Sequence, residues 1–242
     1  MIEVAAALLV LVFIVAVTAL VASHGKRLVV DFSEASWNKS TPLVIVSSHF
    51  SENLSWLQEA TSPVVICSKK LESINCSRLP NKGMDASAYL QFIIQNYDNL
   101  PQRMAFIHGH EASWHQGRPN MLEAIKKAKD SPCGFVTLNN HWIDDRSMNN
   151  ENMKHLHAKW DEIFRPFLKR DPPPKLLHDC CCQFVVSRNI VLRHPKAAYE
   201  HWLEYLMRED TKTSIWVFEY LWHVIFGEPD IVTQEQHLKA CW

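Results

Sequence analysis

The chain has 242 residues, and 47% of them are hydrophobic, which is enough apolar material for one α/β domain with a packed core. Its 25 Lys and Arg residues are balanced by 26 Asp and Glu residues, and neither sign forms a long run. A nucleic-acid-binding domain needs a basic surface to neutralise phosphates. The balanced charge therefore argues against nucleic acid as a partner.

The N-terminal segment is the most hydrophobic part of the chain. Residues 4–22 carry no charged side chain, and as a helix they would span about 28 Å, enough to cross a hydrocarbon core. We therefore predict a membrane anchor or signal sequence over residues 1–23. An uncleaved anchor is favoured because the apolar run is long and no Lys or Arg precedes it. A polar stem at 24–41 and a single α/β domain at 42–242 follow.

Two signals disagree about which side of the membrane the domain faces. Lys26 and Arg27 follow the apolar segment, and the positive-inside tendency would leave the domain in the cytosol. Three glycosylation acceptor sequences begin at Asn38, Asn53 and Asn75, as is typical of a chain that faces a secretory lumen. We predict a single-pass membrane protein whose domain faces the lumen of the Golgi or endoplasmic reticulum.

Short apolar runs and amphipathic stretches alternate along residues 42–242. The apolar runs predict buried strands at 43–46, 64–67, 104–107, 134–138 and 184–186. Apolar positions at helical spacing predict helices at 54–60, 86–97, 122–128, 153–168, 195–207 and 214–226. Strands that alternate with helices are typical of βαβ units, so we predict a mostly parallel sheet flanked by helices.

His108, Gly109 and His110 follow the predicted strand at 104–107, at the edge where open parallel sheets bind ligands. Side chains two residues apart on a strand face the same way, so the two imidazoles could share a metal ion or a phosphate. Glu111 or His115 could complete a metal-binding set. The competing interpretation is a pair of hydrogen-bonded pocket histidines with no ion.

The predicted helix at 214–226 is apolar apart from a few residues that include Glu219 and His223. These two residues are four apart, so they share one face of the helix. A carboxyl group in so apolar a setting resists ionisation unless it has a partner, which makes Glu219 a candidate base or hydroxyl-binding group. The alternative is an ion pair of Glu219 with Arg188 or Arg193 that pins the helix to the sheet.

Three adjacent cysteines, 180–182, follow His178 and precede the predicted strand at 184–186. Successive residues of an extended segment point to opposite faces, so three in a row cannot easily ligate one ion. A nucleophilic cysteine would need a base such as His178, and buried structural thiols are the favoured interpretation. The total of seven cysteines is odd, so at least one is free or intermolecular, and Cys67 with Cys76 is a plausible local disulfide.

Six longer motifs lie between about residue 43 and residue 228. They are Leu54-Ser55-Trp56-Leu57, Leu79-Pro80-Asn81-x-Gly83, Tyr89-Leu90 with Ile93-Ile94-x-Asn96-Tyr97-Asp98-Asn99-Leu100-Pro101, Phe106-Ile107-x-Gly109-His110, Cys181-Cys182 with Gln183-Phe184-x-Val186-Ser187-Arg188, and Glu219-Tyr220-Leu221-Trp222-His223-x-Ile225-Phe226-Gly227. Together they resemble the family known as domain of unknown function 3431, with Cys181 and Cys182 as its paired cysteines. The chain departs from that family at 51–53, where Asn-Glu-Asp is more usual, and at His49, which replaces a typical Arg.

The order of the motifs is also similar to that of glycosyltransferases with the type-A nucleotide-sugar fold. His108-Gly109-His110 occupies the position of their Asp-x-Asp metal motif, without its carboxylates. The resemblance implies a nucleotide sugar and a glycan acceptor as partners, and a divalent metal such as Mn as candidate cofactor. The site residues it implies are His108, Gly109, His110 and Arg188 for cofactor binding, His108 and His110 for metal, and Glu219 and His223 for catalysis.

Two rival hypotheses use the same residues. One is a non-catalytic carbohydrate-binding or scaffolding module on the same fold, which has lost the acidic motif. The other is a metal-dependent hydrolase that uses the histidines.

Overall fold

A computed structural model describes residues 35–73, 75–116, 120–144, 150–209 and 212–242 of the chain. The described residues belong to one compact unit, 32–242. No helix within these ranges is long and apolar enough to cross a membrane. The predicted anchor at 4–22 lies outside the described residues.

The described chain folds into a series of strands and helices. The strands are β1 Val44–His49, β2 Val64–Ser68, β3 Arg103–Ile107, β4 Phe135–Thr137, β5 Trp142–Asp144, β6 Leu177–Asp179 and β7 Phe184–Ser187. The α-helices are α1 Met84–Asn96, α2 Met121–Lys129, α3 Asn150–Ile163, α4 Arg165–Leu168, α5 Arg188–Val191, α6 Lys196–Glu209, α7 Lys212–Ile225 and α8 Gln234–Cys241. Short 3₁₀ helices occupy Ser55–Glu59 and Tyr97–Asn99.

Five strands form one sheet in the order β2-β1-β3-β7-β4. β1 is parallel to β2 and β3, but β7 is antiparallel to both of its neighbours, β3 and β4. The prediction of an α/β sheet flanked by helices is confirmed, and four of the five strands run in the same direction, but β7 runs the opposite way and makes the sheet mixed. The reason is that the chain leaves β4 at the carboxyl edge of the sheet and enters β7 from the same edge, so β7 must run the opposite way.

The side chains of the sheet alternate between two separate hydrophobic layers, because successive residues of a strand point to opposite faces. One face packs against α1, α3, α6 and α7, and the other packs against the first 3₁₀ helix, α2 and α8. The first layer includes Val44, Val46, Phe106 and Phe184, and the second includes Ile45, Ala105, Ile107 and Val185. Burial on both faces explains why these strands read as continuous apolar runs.

Several short elements were not predicted from the sequence. β5 and β6 pair antiparallel in a small second sheet, and each has only three residues, too few to show an alternating pattern. α5 and α8 were also missed. The predicted helix at 153–168 is divided into α3 and α4, and the helix predicted at 54–60 is a 3₁₀ helix at Ser55–Glu59.

Three disulfides lie in the described chain, and two of them join residues that are not adjacent. Cys67 bonds to Cys76, as predicted. Cys133 bonds to Cys241 across 108 residues and ties α8 to the turn before β4. All seven cysteines lie in the described residues.

The triple cysteine forms one of the buried structural thiols that we predicted, whereas its other two residues form a disulfide. Cys180 is bonded to its neighbour Cys181, and Cys182 remains as a buried free thiol. The family's paired cysteines, Cys181 and Cys182, are therefore not bonded to each other. The prediction of at least one free cysteine is confirmed by Cys182.

Candidate functional site

His108, Gly109 and His110 leave β3 at the carboxyl edge of the sheet and are held in place by their backbone. The amide of His108 donates to Gln183 Oε1 at 3.2 Å, and the indole of Trp56 donates to the carbonyl of Gly109 at 3.0 Å. A Cβ atom at position 109 would lie 3.0 Å from Glu52 Cγ. Glycine is thus required here for close packing.

His108 belongs to a group of neighbouring polar side chains that we call the acidic cluster. Its members are Ser48, Asp85, His108, Cys182 and Glu219. His108 Nε2 lies 3.5 Å from one carboxylate oxygen of Asp85, and the hydroxyl of Ser48 donates to the other. Asp85 comes from the first turn of α1, where Gly83 takes a left-handed conformation at φ 66°. The cluster therefore joins residues from β1, α1, β3, the loop before β7, and α7.

Glu219 is the carboxyl group of the cluster with the most altered acidity. Burial is the main cause, and it raises the pKa of Glu219 to about 7 against the opposing effect of His108. The nearby carboxylate of Asp85 raises this pKa further, while a hydrogen bond with Cys182 lowers it. A group that is half-ionised near neutral pH can both accept and donate a proton, which is the property a general base requires.

Cys182 supports Glu219 as a neutral hydrogen-bonding partner. Burial raises the pKa of the Cys182 thiol well above its usual range, and the carboxyl group of Glu219 adds to this effect. The indole of Trp222 donates to Cys182 Sγ at 3.1 Å. The hydrogen bond from Trp222 lowers this pKa, but burial and Glu219 outweigh it, so Cys182 is a protonated donor rather than a nucleophile.

His223 lies one helical turn from Glu219 but contacts a different group of residues. Its ring stacks on that of His178, with centroids 4.0 Å apart and planes inclined by 7°. His178 Nδ1 lies 2.5 Å from Asp179 Oδ1, and Thr137 donates to the other oxygen of Asp179. Burial lowers the pKa of His223 well below its usual range, so this ring is neutral.

Glu219 and His223 meet at a small internal cavity. Its volume is about 10 Å³, and its lining includes Asp179, Cys182 and Trp222 as well. This is the space of about one water molecule. A sugar or nucleotide therefore does not fit between the two residues.

A larger opening, which we call the groove, lies on the other side of Gly109. Its volume is about 480 Å³, within the range of small-molecule sites. It is lined by Ser51, Glu52, Asn53, Ser55, Trp56, His110, Glu111 and Ala112. The segment 108–110 connects the groove with the acidic cluster, because His110 lines the groove and His108 belongs to the cluster.

Glu52 is an ionised carboxylate in the wall of the groove. Burial raises its pKa, but hydrogen bonds from the amides of Phe50 and Ser51 outweigh this effect and His110 adds to them, so the pKa is lowered overall. Those amides lie 2.6 Å and 2.9 Å from Glu52 Oε2. The carboxylate is thereby fixed at the carboxyl end of β1.

The rings of the two histidines predicted to share a metal ion lie near each other. Their ring centroids are 6.3 Å apart and the rings are nearly perpendicular, at 84°. His115 lies closer to His108, at 5.3 Å, but its Nδ1 is bonded to Asn139 Oδ1 at 3.0 Å. Within the described ranges, no group of three or more His, Cys, Asp and Glu side chains could hold a metal ion.

Arg188, which the resemblance assigned to cofactor binding, lies at the opposite edge of the sheet from His108. Its guanidinium donates to the carbonyl oxygens of Lys39 at 2.6 Å and Leu100 at 3.2 Å. Because β7 runs antiparallel to β3, its last residue pairs with Arg103, the first residue of β3. The structure therefore does not bring Arg188 together with the other predicted site residues, and no ion pair between it and Glu219 is seen in the described part of the chain.

Asp85 and Glu52 are the site residues that the sequence analysis missed. Asp85 lies two residues after the Leu79–Gly83 turn motif, in the first turn of a helix. Glu52 follows the end of β1 by three residues. An acidic residue close after a predicted strand, or at the start of the next helix, was the signal that could have identified both.

The fold and the site define a mixed α/β protein with a polar groove and a buried carboxyl group at the carboxyl edge of its main sheet. A family profile described as "Protein of unknown function (DUF3431)" matches residues 44–242, and the chain belongs to this family. Comparison with curated proteins and with solved structures found no match. The family resemblance deduced from the motifs is confirmed.

Proposed function

We propose that this protein is a membrane-anchored, glycosyltransferase-like protein that binds a nucleotide sugar at the carboxyl edge of its sheet. The observation that carries the proposal is the combination of an open groove of about 480 Å³ with a carboxyl group of pKa about 7 in the adjoining cluster. The predicted orientation, with the domain in the lumen of the Golgi or endoplasmic reticulum, belongs to the same proposal.

Glu219 is the base in this proposal. Through a bound water it accepts the proton that the acceptor hydroxyl loses, as the hydroxyl oxygen bonds to the anomeric carbon of the sugar and the nucleoside diphosphate leaves. His108 and Asp85 lie beside Glu219. His223 lines the same water-sized cavity as Glu219 and stays neutral, so its role in the proposal is to hydrogen-bond a water there. Arg188 has no role, because it lies at the opposite edge.

The groove carboxylates suggest how a nucleotide diphosphate could be held. Glu52 and Glu111 line the groove, and carboxylates with substrate phosphates are the usual ligands of a nucleotide-bound divalent ion. A metal such as Mn would then arrive with the nucleotide sugar. His110 would meet the phosphates from the same wall.

A thermal-stability measurement on the full-length protein tests the proposal. A uridine or guanosine nucleotide sugar with Mn should raise the melting temperature, as expected for a ligand that binds only the folded state. Glu219→Gln should keep that shift and abolish transfer, and Glu52→Ala should reduce the shift. Glu204→Gln, on the exposed face of α6, is the matched control for both. An unchanged melting temperature across the whole panel, with and without Mn, would contradict the proposal.

One observation favours a second candidate, the non-catalytic carbohydrate-binding module. Among the described residues that line the groove there is no Lys or Arg, whereas there are two carboxylates, an amide and two hydroxyls. Such a surface suits neutral sugar hydroxyls better than a bare diphosphate. Neutral oligosaccharides would then raise the melting temperature while nucleotide sugars, with or without Mn, would not.

The membrane orientation is tested through the acceptor sequences. Asn38 and Asn53 are exposed, whereas the side-chain amide of Asn75 donates to the carbonyl of Ala35 at 2.6 Å. For a lumenal domain, a glycosidase should increase gel mobility, and Asn38→Gln, which changes a residue outside the lining of the groove, should remove at least part of that change. Mobility that no glycosidase alters would place the domain in the cytosol.

A further inference from the structure

The disulfide between Cys180 and Cys181 has one accessible end. Cys180 is 4% exposed and the neighbouring free thiol, Cys182, is 3% exposed, whereas Cys181 is only partly buried. Thiol–disulfide exchange requires that a thiolate reach one sulfur of the bond. Of the two residues of this bond, Cys181 is the more exposed one, so an external thiol approaches from its side.

The backbone of the two residues after Cys180 has an unusual conformation. Cys181 and Cys182 have φ angles of 81° and 55°, in the left-handed region that residues other than glycine rarely adopt. Cys180 itself is held at both ends, since its amide donates to the carbonyl of His141 and its carbonyl accepts from Asn139. Opening the ring of the disulfide would therefore free the backbone torsions of Cys181 and let residue 182, which follows it, move while residue 180 stays in place.

The freed segment carries a residue of the acidic cluster. Cys182 Sγ accepts a hydrogen bond from the indole of Trp222 at 3.1 Å, and the Cys182 thiol is hydrogen-bonded to Glu219. Cys180, Cys182, Trp222 and Glu219 also line the same water-sized cavity. A change in the backbone at 181–182 would reach the carboxyl group of Glu219 through these contacts.

We propose that Cys180–Cys181 is a thiol–disulfide exchange site for an external dithiol, and that its reduction releases Cys182 from Trp222 and Glu219. The thiolate of the dithiol attacks Cys181 Sγ, forms a mixed disulfide, and expels the sulfur of Cys180, which takes up a proton. The second thiol of the dithiol then attacks the dithiol's first sulfur, which is bonded to Cys181 in the mixed disulfide, and releases the Cys181 thiol. Two electrons and two protons pass to the protein, and the dithiol becomes a disulfide.

The other cysteines are poorly placed to compete for the dithiol. Cys182 is a protonated, buried thiol, and it is not the thiolate that exchange requires. Cys67 and Cys76 are 3% and 1% exposed. Cys133–Cys241 closes a loop of 108 residues, so its reduction would lose far more loop-closure stabilisation than reduction of a bond between adjacent residues.

A redox titration of the full-length protein tests this inference. The protein is equilibrated at graded ratios of reduced to oxidised dithiothreitol, its thiols are alkylated, and labelled peptides are quantified by mass spectrometry. Cys180 and Cys181 should become labelled in a single two-electron step while the other two disulfides remain intact. Tryptophan fluorescence should change with the same midpoint, because Trp222 loses its bond to the sulfur of Cys182.

Two variants distinguish the proposed release of Cys182 from reduction of all the disulfides together. Trp222→Phe should keep the labelling step and lose the fluorescence change. Cys180→Ser with Cys181→Ser should show the fluorescence of the reduced protein at every ratio. The inference is overturned if Cys180 and Cys181 are labelled only together with the other pairs, or if their reduction leaves the fluorescence unchanged. Both outcomes are read from the wild type, and neither depends on whether the protein transfers sugar.

Discussion

Glu219 shows how neighbouring side chains set the acidity of one residue. Its helix is apolar, but the carboxyl group is not isolated, because His108, Asp85 and Cys182 surround it. The sequence analysis identified Glu219 from its apolar setting and proposed Arg188 or Arg193 as its partner. The actual partners come from three other elements, which no spacing along the chain could indicate.

The pKa of Glu219 predicts how stability varies with pH. The folded pKa of about 7 is above the ordinary value of 4.5, so the folded state binds more protons between these values, and stability falls as pH rises through that window. The loss is up to about 3 kcal/mol. Glu219→Gln should remove this part of the pH dependence in urea unfolding between pH 4.5 and 7.5. Glu204→Gln should retain it, and a slope unchanged by Glu219→Gln would contradict the assignment.

Gly109 is the second residue whose role can be tested directly. In Gly109→Ala the new Cβ would lie 3.0 Å from Glu52 Cγ and from the carbonyl oxygen of Ser48, and backbone cannot move aside as easily as a side chain. We expect a loss of about 1–3 kcal/mol in the free energy of unfolding. Adding Glu52→Gly, which removes both the Cβ and the Cγ of Glu52, should recover part of that loss. Full stability of Gly109→Ala alone would show that the segment is not packed as described.

At the scale of elements, the direction of β7 decides what the site contains. Because β7 starts at the carboxyl edge, Gln183 just before it meets the amide of His108, and Cys182 meets Glu219. For the same reason Arg188, just after β7, lies at the far edge. The apolar run at 184–186 predicted the strand, but a run of apolar residues does not show whether the strand is parallel or antiparallel to its neighbours.

α8 is a short helix that depends on its cap. The hydroxyl of Thr233 accepts from the amide of Gln236 at 3.2 Å, and Gln236 Oε1 accepts from the amide of Thr233 at 2.9 Å. Thr233→Ala should cost about 1 kcal/mol, while Thr233→Ser keeps the hydroxyl and should cost much less. Hydrogen exchange of the α8 amides measures the effect locally. Equal exchange in both variants would show that the cap is not needed.

At the scale of the whole molecule, Cys133–Cys241 connects the C-terminal helix to the turn before β4. The hydroxyl of Ser131 also donates to the carbonyl of Cys241 at 2.7 Å. Replacing both cysteines with Ala should lower the free energy of unfolding by about 4 kcal/mol, because a loop of this length gains much entropy when it is opened. Under reducing conditions the variant and the wild type should unfold at nearly the same urea concentration, and a difference that persists there would point to lost packing instead.

The sequence by itself determined the family, the five main strands, most of the larger helices and the position of His108-Gly109-His110 after β3. These features depend on residues that are close along the chain, where hydrophobic periodicity and motifs are visible. Only the tertiary structure decided that β7 is antiparallel, that Asp85 and Cys182 join Glu219, that His223 stacks on His178, and that Cys180 bonds to Cys181. Each of these depends on residues far apart in the chain, or on a backbone conformation that burial and packing impose.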